Sequence, residues 1–201
     1  MIFLFEFFKK KNKNYSQKGF TLIELLVVVA IISLLSSIVF ASLGSARAKA
    51  RDARRLTDVR QIRLALELYL NEYGFYPASG GAVQPNGGWS HSAEPVSWGP
   101  GSTLQTAITP FLSRLPVDPV NYATPTTWLT SPNVYSYSYH NFSTAYGCNN
   151  RTYMLVYKLE NGASTVSPGF TACDGTSFQY NGGAMNTSNA NGIITLGGNG
   201  F

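Results

Sequence analysis

Residues 20–43 form an apolar run that carries a single charge, Glu24, five residues from its start. At about 1.5 Å rise per residue this run spans roughly 36 Å as a helix, enough for the roughly 30 Å hydrocarbon core of a bilayer. Leu, Ile, Val and Phe dominate it, and Ser33, Ser36, Ser37 and Ser42 are small enough to bond back to the helix's own carbonyls. The segment can therefore cross a membrane. Burying Glu24 at an inserted depth costs on the order of 2–3 kcal/mol even on a lenient insertion scale, so the carboxylate needs a partner.

A cut after Gly19 supplies one. The free α-amino group it leaves on Phe20 is a cation that Glu24 of the same chain, or of a neighbouring copy, can neutralise. Residues 18–24 read Lys-Gly-Phe-Thr-Leu-Ile-Glu, followed by Leu-Leu-Val-Val-Val-Ala-Ile-Ile. This stretch resembles the processing site of type IV prepilins and type II secretion pseudopilins. The resemblance implies a membrane peptidase that cuts between Gly19 and Phe20 and methylates the new Phe20 amine, and a Glu24 that aligns an incoming subunit in a filament. A plain signal anchor has no use for a charge one turn inside its apolar start. A secretory signal peptide would have an apolar core of only about 7–15 residues. The family's pilus-forming branch commonly has a helix-breaking Pro where this chain has Ala41; Gly44 is the nearest soft point, since Gly weakens a helix by about 1 kcal/mol relative to Ala.

The formal charge of +5 resides mostly in the segment to be removed. Lys9, Lys10, Lys11, Lys13 and Lys18 against Glu6 give residues 1–19 a net +4, which leaves +1 for the remainder. A nearly neutral mature chain gives no reason to expect nucleic acid as a partner. The leader begins with an apolar stretch holding four Phe, suited to lying on a membrane face. Past the apolar run, Arg47, Lys49, Arg51, Arg54, Arg55, Arg60 and Arg63, offset by Asp52 and Asp58, form a basic collar of net +5. Its bland reading is a solvated helix face or lipid headgroup contact; acidic groups of neighbouring subunits, or DNA, are the alternatives. The collar opposes the leader lysines under the positive-inside rule. Only the resemblance orients the chain, with the leader in the cytoplasm and the rest outside.

Nothing stops the helix before Gly74 and Pro77. The periodicity predicts one helix of about 54 residues, its far half carrying Leu56, Val59, Ile62, Leu66, Tyr69, Leu70 and Tyr73 as a core-facing stripe. Residues 78–101 read as a long loop tied down by Trp89 and Trp98, anchors for a core or else a ligand platform. A short helix is expected over 102–115, interrupted by Pro110. Residues 115–121 resemble the Leu-Pro-x-Asp-Pro loop of major pseudopilins, with Asp118 placed to accept turn amides. Strand patterns occupy 134–139, 152–160, 178–180 and 193–196, and the Asn/Gly-rich tail from 181 reads as irregular or weakly ordered.

The expected architecture is α+β and pilin-like. A leader (1–19) is removed, a membrane-spanning and filament-core helix (20–43) continues as an amphipathic extension (44–74), and the extension packs on the small antiparallel sheet of a head with long loops (75–201). Cys148 and Cys173, 25 positions apart in the part the resemblance places outside the cytoplasm, read most economically as a disulfide. Free thiols or a metal site are the alternatives, but His91 and His140 have no ligand spacing. Major pseudopilins bind calcium through acids near the carboxyl end, and here Asp174 is the only acid after Glu160, so that site does not carry over. No cofactor is expected, and no phosphate loop or nucleophile elbow suggests an enzyme.

The sequence reading is thus a structural filament subunit, of a type IV pilus-like or type II secretion pseudopilus assembly. Its partners are a prepilin peptidase, copies of itself or related pilins, the inner-membrane assembly machinery and the lipid bilayer. It sits as a single-pass protein of the cytoplasmic membrane with its C-terminal domain outside, then in a filament or at the cell surface. The alternative is a minor, tip-located pilin that binds a surface, glycan or DNA through the Tyr-rich strand and Trp loop.

Overall fold

A computed structural model describes residues 19–80, 88–121, 133–162, 169–178 and 192–199. The leader up to residue 18, the tip of the 78–101 loop and the tail segment 179–191 lie outside the described residues. The chain divides into two compact units, Met1–Gly44 and Ser45–Phe201, and the division falls at the Gly that the sequence marks as the soft point of the helix. Helix α1, Leu22–Tyr73, contributes to both.

Within the first unit, α1 exposes its apolar side chains all round, from Phe20 and Leu22 to Val39 and Phe40. Ser33, Ser37 and Ser42 donate to the carbonyls of Val29, Leu34 and Val39, so these hydroxyls are satisfied by the helix itself.

Within the second unit a four-stranded antiparallel sheet, in the order β1 (Trp89–His91), β2 (Ser138–Asn141), β3 (Thr152–Lys158), β6 (Ile193–Asn199), lies against α1. Every residue of the central strand β3 is buried, because its two faces enter two cores. Tyr153, Leu155 and Tyr157 join Val59, Ile62 and Leu66 of α1, together with Trp98, Leu104, Ile108, Leu115, Tyr137 and Tyr139. Met154 and Val156 point the other way, into a smaller core with Trp89, Phe142, Cys148, Ala172, Phe178 and Ile193. Two short helices, α2 (Pro95–Trp98) and α3 (Thr103–Ile108), close one end of the first core; Ser102 caps α3 by accepting from the Gln105 amide. The hairpin of β4 (Phe170–Thr171) and β5 (Ser177–Phe178) brings Ala172 and Phe178 to the second core.

Several expectations shift. Leu56 and Tyr73 of the predicted stripe are exposed. At 100° per residue Leu56 lies some 60° round the helix from Val59, whereas Asp52 and Arg55 fall close to the buried centre. Tyr73 instead meets the Tyr69 and Phe75 rings at a tilt and the Phe111 ring edge-on. The strand expected over 134–139 starts later, at Ser138, and β1 and β4 are strands the pattern did not mark. β6 runs on to Asn199 through Gly197 and Gly198, so this part of the tail is a regular strand. A Cβ at Gly198 would overlap the Tyr153 ring and crowd Tyr76 Oη and Glu67 Oε1, which is why a residue of low strand propensity stands there.

Candidate assembly site and a buried ion cluster

Gly19 and Phe20 precede the helix and are exposed, Phe20 to 83%, and open space surrounds Gly19. An accessible, non-helical peptide of this kind is what a peptidase can enter. Glu24 meets its first partner within its own turn. The Thr21 amide donates to Glu24 Oε2 at 2.8 Å and the Thr21 hydroxyl to the same oxygen at 2.7 Å, while the Glu24 amide donates to Thr21 Oγ1 at 3.3 Å. This is a reciprocal capping box, which satisfies donors that a helix start would otherwise leave bare. The Thr-x-x-Glu spacing is the sequence signal for it. Both side-chain bonds fall on Oε2, so the carboxylate also keeps capacity for a further donor.

Cys148 and Cys173 are joined, with Cα atoms 5.2 Å apart. Cys148 lies in the second core and Cys173 against it, so the bond ties the hairpin to the chain that follows β2. Of the two expected loop anchors, Trp98 is buried in the first core and donates from Nε1 to the Pro116 carbonyl at 2.8 Å, and Trp89 is buried in the second. Tyr137 and Tyr139 are also core residues; their hydroxyls donate to Asp58 Oδ2 at 2.8 Å and to the Pro77 carbonyl at 2.6 Å. None of these four rings is displayed.

The basic collar is the largest departure. It is not a uniform solvated face, because Arg55 is fully buried and three acids that stand apart in the sequence converge on it. Asp118 takes Arg55 Nε at 2.7 Å and Nη2 at 3.1 Å, a bidentate pair, while Arg55 Nη1 reaches Asp52 at 2.8 Å and Glu160 at 2.7 Å. Arg51 Nε donates to the same Glu160 oxygen at 2.7 Å. Asp118 Oδ1 accepts the amides of Val120 and Asn121, the turn role expected of it, and Asp52 accepts those of Glu160 and Asn161. The Tyr135 ring covers the guanidinium, 4.5 Å from its centroid.

Burial opposes the charge on Arg55, yet the hydrogen bonds and charges of Asp118, Glu160 and Asp52 outweigh it and raise its pKa. Burial likewise works against ionised Asp52, but the amides of Glu160 and Asn161, then Arg55, bring its pKa below the ordinary value. The Arg51 hydrogen bond, against some desolvation and with help from Arg55, does the same for Glu160. The cluster welds three elements together: α1, the Leu-Pro-x-Asp-Pro loop and the turn that follows β3. Its three carboxylates surround a guanidinium, and among the described residues no group of His, Cys, Asp and Glu could hold a metal ion.

Among the described residues one helix, α1, is long and apolar enough to cross a membrane. The family model described as the prokaryotic N-terminal methylation motif matches residues 14–40. Over 108 residues the chain is 30% identical to the type II secretion system core protein G of Vibrio cholerae, an alignment covering 54% of this chain and 68% of that protein. The protein of the same name from Pseudomonas aeruginosa is 30% identical over 108 residues, covering 51% and 68%. That from Pectobacterium carotovorum is 34% identical over 68 residues, covering 34% and 44%. No solved structure matches the chain significantly.

Proposed function

We propose, from the premise that this chain belongs to the type IV pilin and type II secretion pseudopilin family, that it is a structural subunit of a secretion pseudopilus, built into a filament through α1. The observation that carries the reading is the apolar first half of α1, exposed along its length among the described residues and headed by the Gly19–Phe20 peptide and Glu24. So much exposed apolar surface has to be covered by lipid, by neighbouring helices, or by each in turn.

The cycle begins with the chain held in the inner membrane by residues 20–43, leader in the cytoplasm and head outside. A prepilin peptidase cuts between Gly19 and Phe20 and methylates the new amine. The assembly machinery then draws the subunit into a bundle of like helices, where Glu24 meets the Phe20 amine of a neighbour. The capping box survives the cut, since Thr21 keeps its amide, so Glu24 stays oriented by Thr21 until the neighbour's amine arrives. The chain's work is mechanical, and the relatives it resembles are named as core components of a secretion system. Nothing favours a tip adhesin: of the rings it would use, Trp89, Trp98, Tyr137 and Tyr139 are inside the two cores.

The test replaces Glu24 with Leu in cells that carry the secretion machinery. The variant should be cut and methylated normally, remain in the membrane and be missing from sheared filaments. Its recovery in filaments at the parental level would refute the assembly role of Glu24.

A further inference from the structure

Beyond the apolar run, the cations of α1 divide by how they are answered. Residues 44–50 hold Arg47 and Lys49 and no acid; both are exposed, and neither has an ion-pair partner among the described residues. From residue 51 to 58 every cation meets a carboxylate: Arg51 meets Glu160, Arg54 meets Asp58, and Arg55 meets Asp52, Asp118 and Glu160.

Farther out, Arg60 and Arg63 are again exposed and without an ion-pair partner among the described residues, so what sets Arg47 and Lys49 apart is their distance from the apolar run. The charge-free stretch 25–44 makes about 30 Å of helix, the thickness of a hydrocarbon core. With Glu24 at one boundary and Gly44 at the other, Arg47 and Lys49 stand about 5 and 8 Å past the second boundary, within a headgroup layer of roughly 5–8 Å. Arg51 begins the answered set at about 11 Å. Arg47 and Lys49 project some 200° apart around the axis, so they address lipid on two sides of the helix, and long cationic stems can bend to the headgroup level.

We infer that Arg47 and Lys49 form a collar that binds the headgroups of anionic phospholipids in the leaflet beside Gly44. A zwitterionic headgroup offers a phosphate together with its own cation, whereas an anionic one offers uncancelled charge, so the collar selects by net charge. It fixes the depth of α1 before extraction, and leaving the membrane means breaking these contacts. Lipid binding of this kind rests on the membrane-anchored stage proposed above and on nothing later in the cycle.

The experiment is native mass spectrometry of the full chain released from mixed micelles holding equal amounts of phosphatidylglycerol and phosphatidylcholine. The parent should retain phosphatidylglycerol preferentially. Arg47→Gln together with Lys49→Gln should lower that preference about fivefold for each cation removed. Arg60→Gln with Arg63→Gln removes the same charge from exposed positions about 24 and 29 Å past Gly44, and should leave the preference unchanged. Equal retention of the two lipids by the parent, or equal loss in both double variants, would overturn the collar. A chain that alkaline carbonate strips from membranes would overturn the anchored stage as well; a carbonate-resistant chain without lipid preference would overturn the collar alone.

Discussion

Replacing Arg55 with Met removes a guanidinium whose side chain is fully buried and which makes four hydrogen bonds to three carboxylates. The carboxylates are not left equal. Glu160 keeps Arg51, and Asp52 keeps the amides of Glu160 and Asn161 and the Asn161 side chain. Asp118, itself fully buried, keeps two turn amides among the described residues. The penalty therefore concentrates on one uncompensated charge, for which a loss of about 3–5 kcal/mol is typical. Neither partner of the Arg55–Asp118 pair touches solvent, so screening does not reduce that figure. All three tryptophans, Trp89, Trp98 and Trp128, lie in the head, so urea unfolding of the full chain in detergent, followed by intrinsic fluorescence, reads this unit alone. The midpoint should fall by about 2 M urea. Adding Asp118→Asn, which removes the stranded charge but keeps an oxygen for the turn amides, should recover about half of the loss. A loss under about 1 kcal/mol, or no recovery in the double variant, would refute the claim that the cluster is a buried, coupled weld.

Stability should fail at both ends of the pH scale. Asp52 and Glu160 have folded pKa values below their unfolded ones, so their contribution is complete above about pH 5 and disappears as pH falls through the folded values. Tyr76, Tyr137, Tyr139 and Tyr153 are shifted upward, chiefly by burial, Tyr153 to about 12, so their contribution is intact below about pH 10 and is lost as pH climbs past it. A pH series of thermal melts with a flat plateau between these limits checks both, and a melt insensitive to pH 11 would contradict the second. Gly198→Val should destabilise the head by about 1–3 kcal/mol by overpacking against Tyr153, read as a lower urea midpoint. Changing Cys148 and Cys173 to Ala should cost about 3–4 kcal/mol and speed amide exchange at Ala172, while the β3 amides Leu155 and Val156 stay protected.

The first half of α1, its continuation to Tyr73, strand β3 and the cysteine pair were legible because each is a local pattern: apolar length, helical period, strand composition, spacing in sequence. β1 hid inside a Gly-rich loop, and β6 hid behind Gly197 and Gly198, whose place in the strand is set by the Tyr153 ring rather than by strand propensity. The Arg55 cluster was illegible for a different reason. Asp52, Asp118 and Glu160 lie 3, 63 and 105 positions from Arg55, and a charge run on a helix looks solvated until the fold brings acids to it. At the candidate assembly site the Gly19, Phe20 and Glu24 motif is local in sequence, and so is the Thr-x-x-Glu spacing by which Thr21 caps the helix.

Intact mass with amino-terminal sequencing of the chain from the membrane fraction of cells that carry a prepilin peptidase tests the central claim most directly. The account predicts a chain that starts at methylated Phe20. A chain that still carries residues 1–19 in those cells would contradict it and leave a signal-anchored head with no route into a filament.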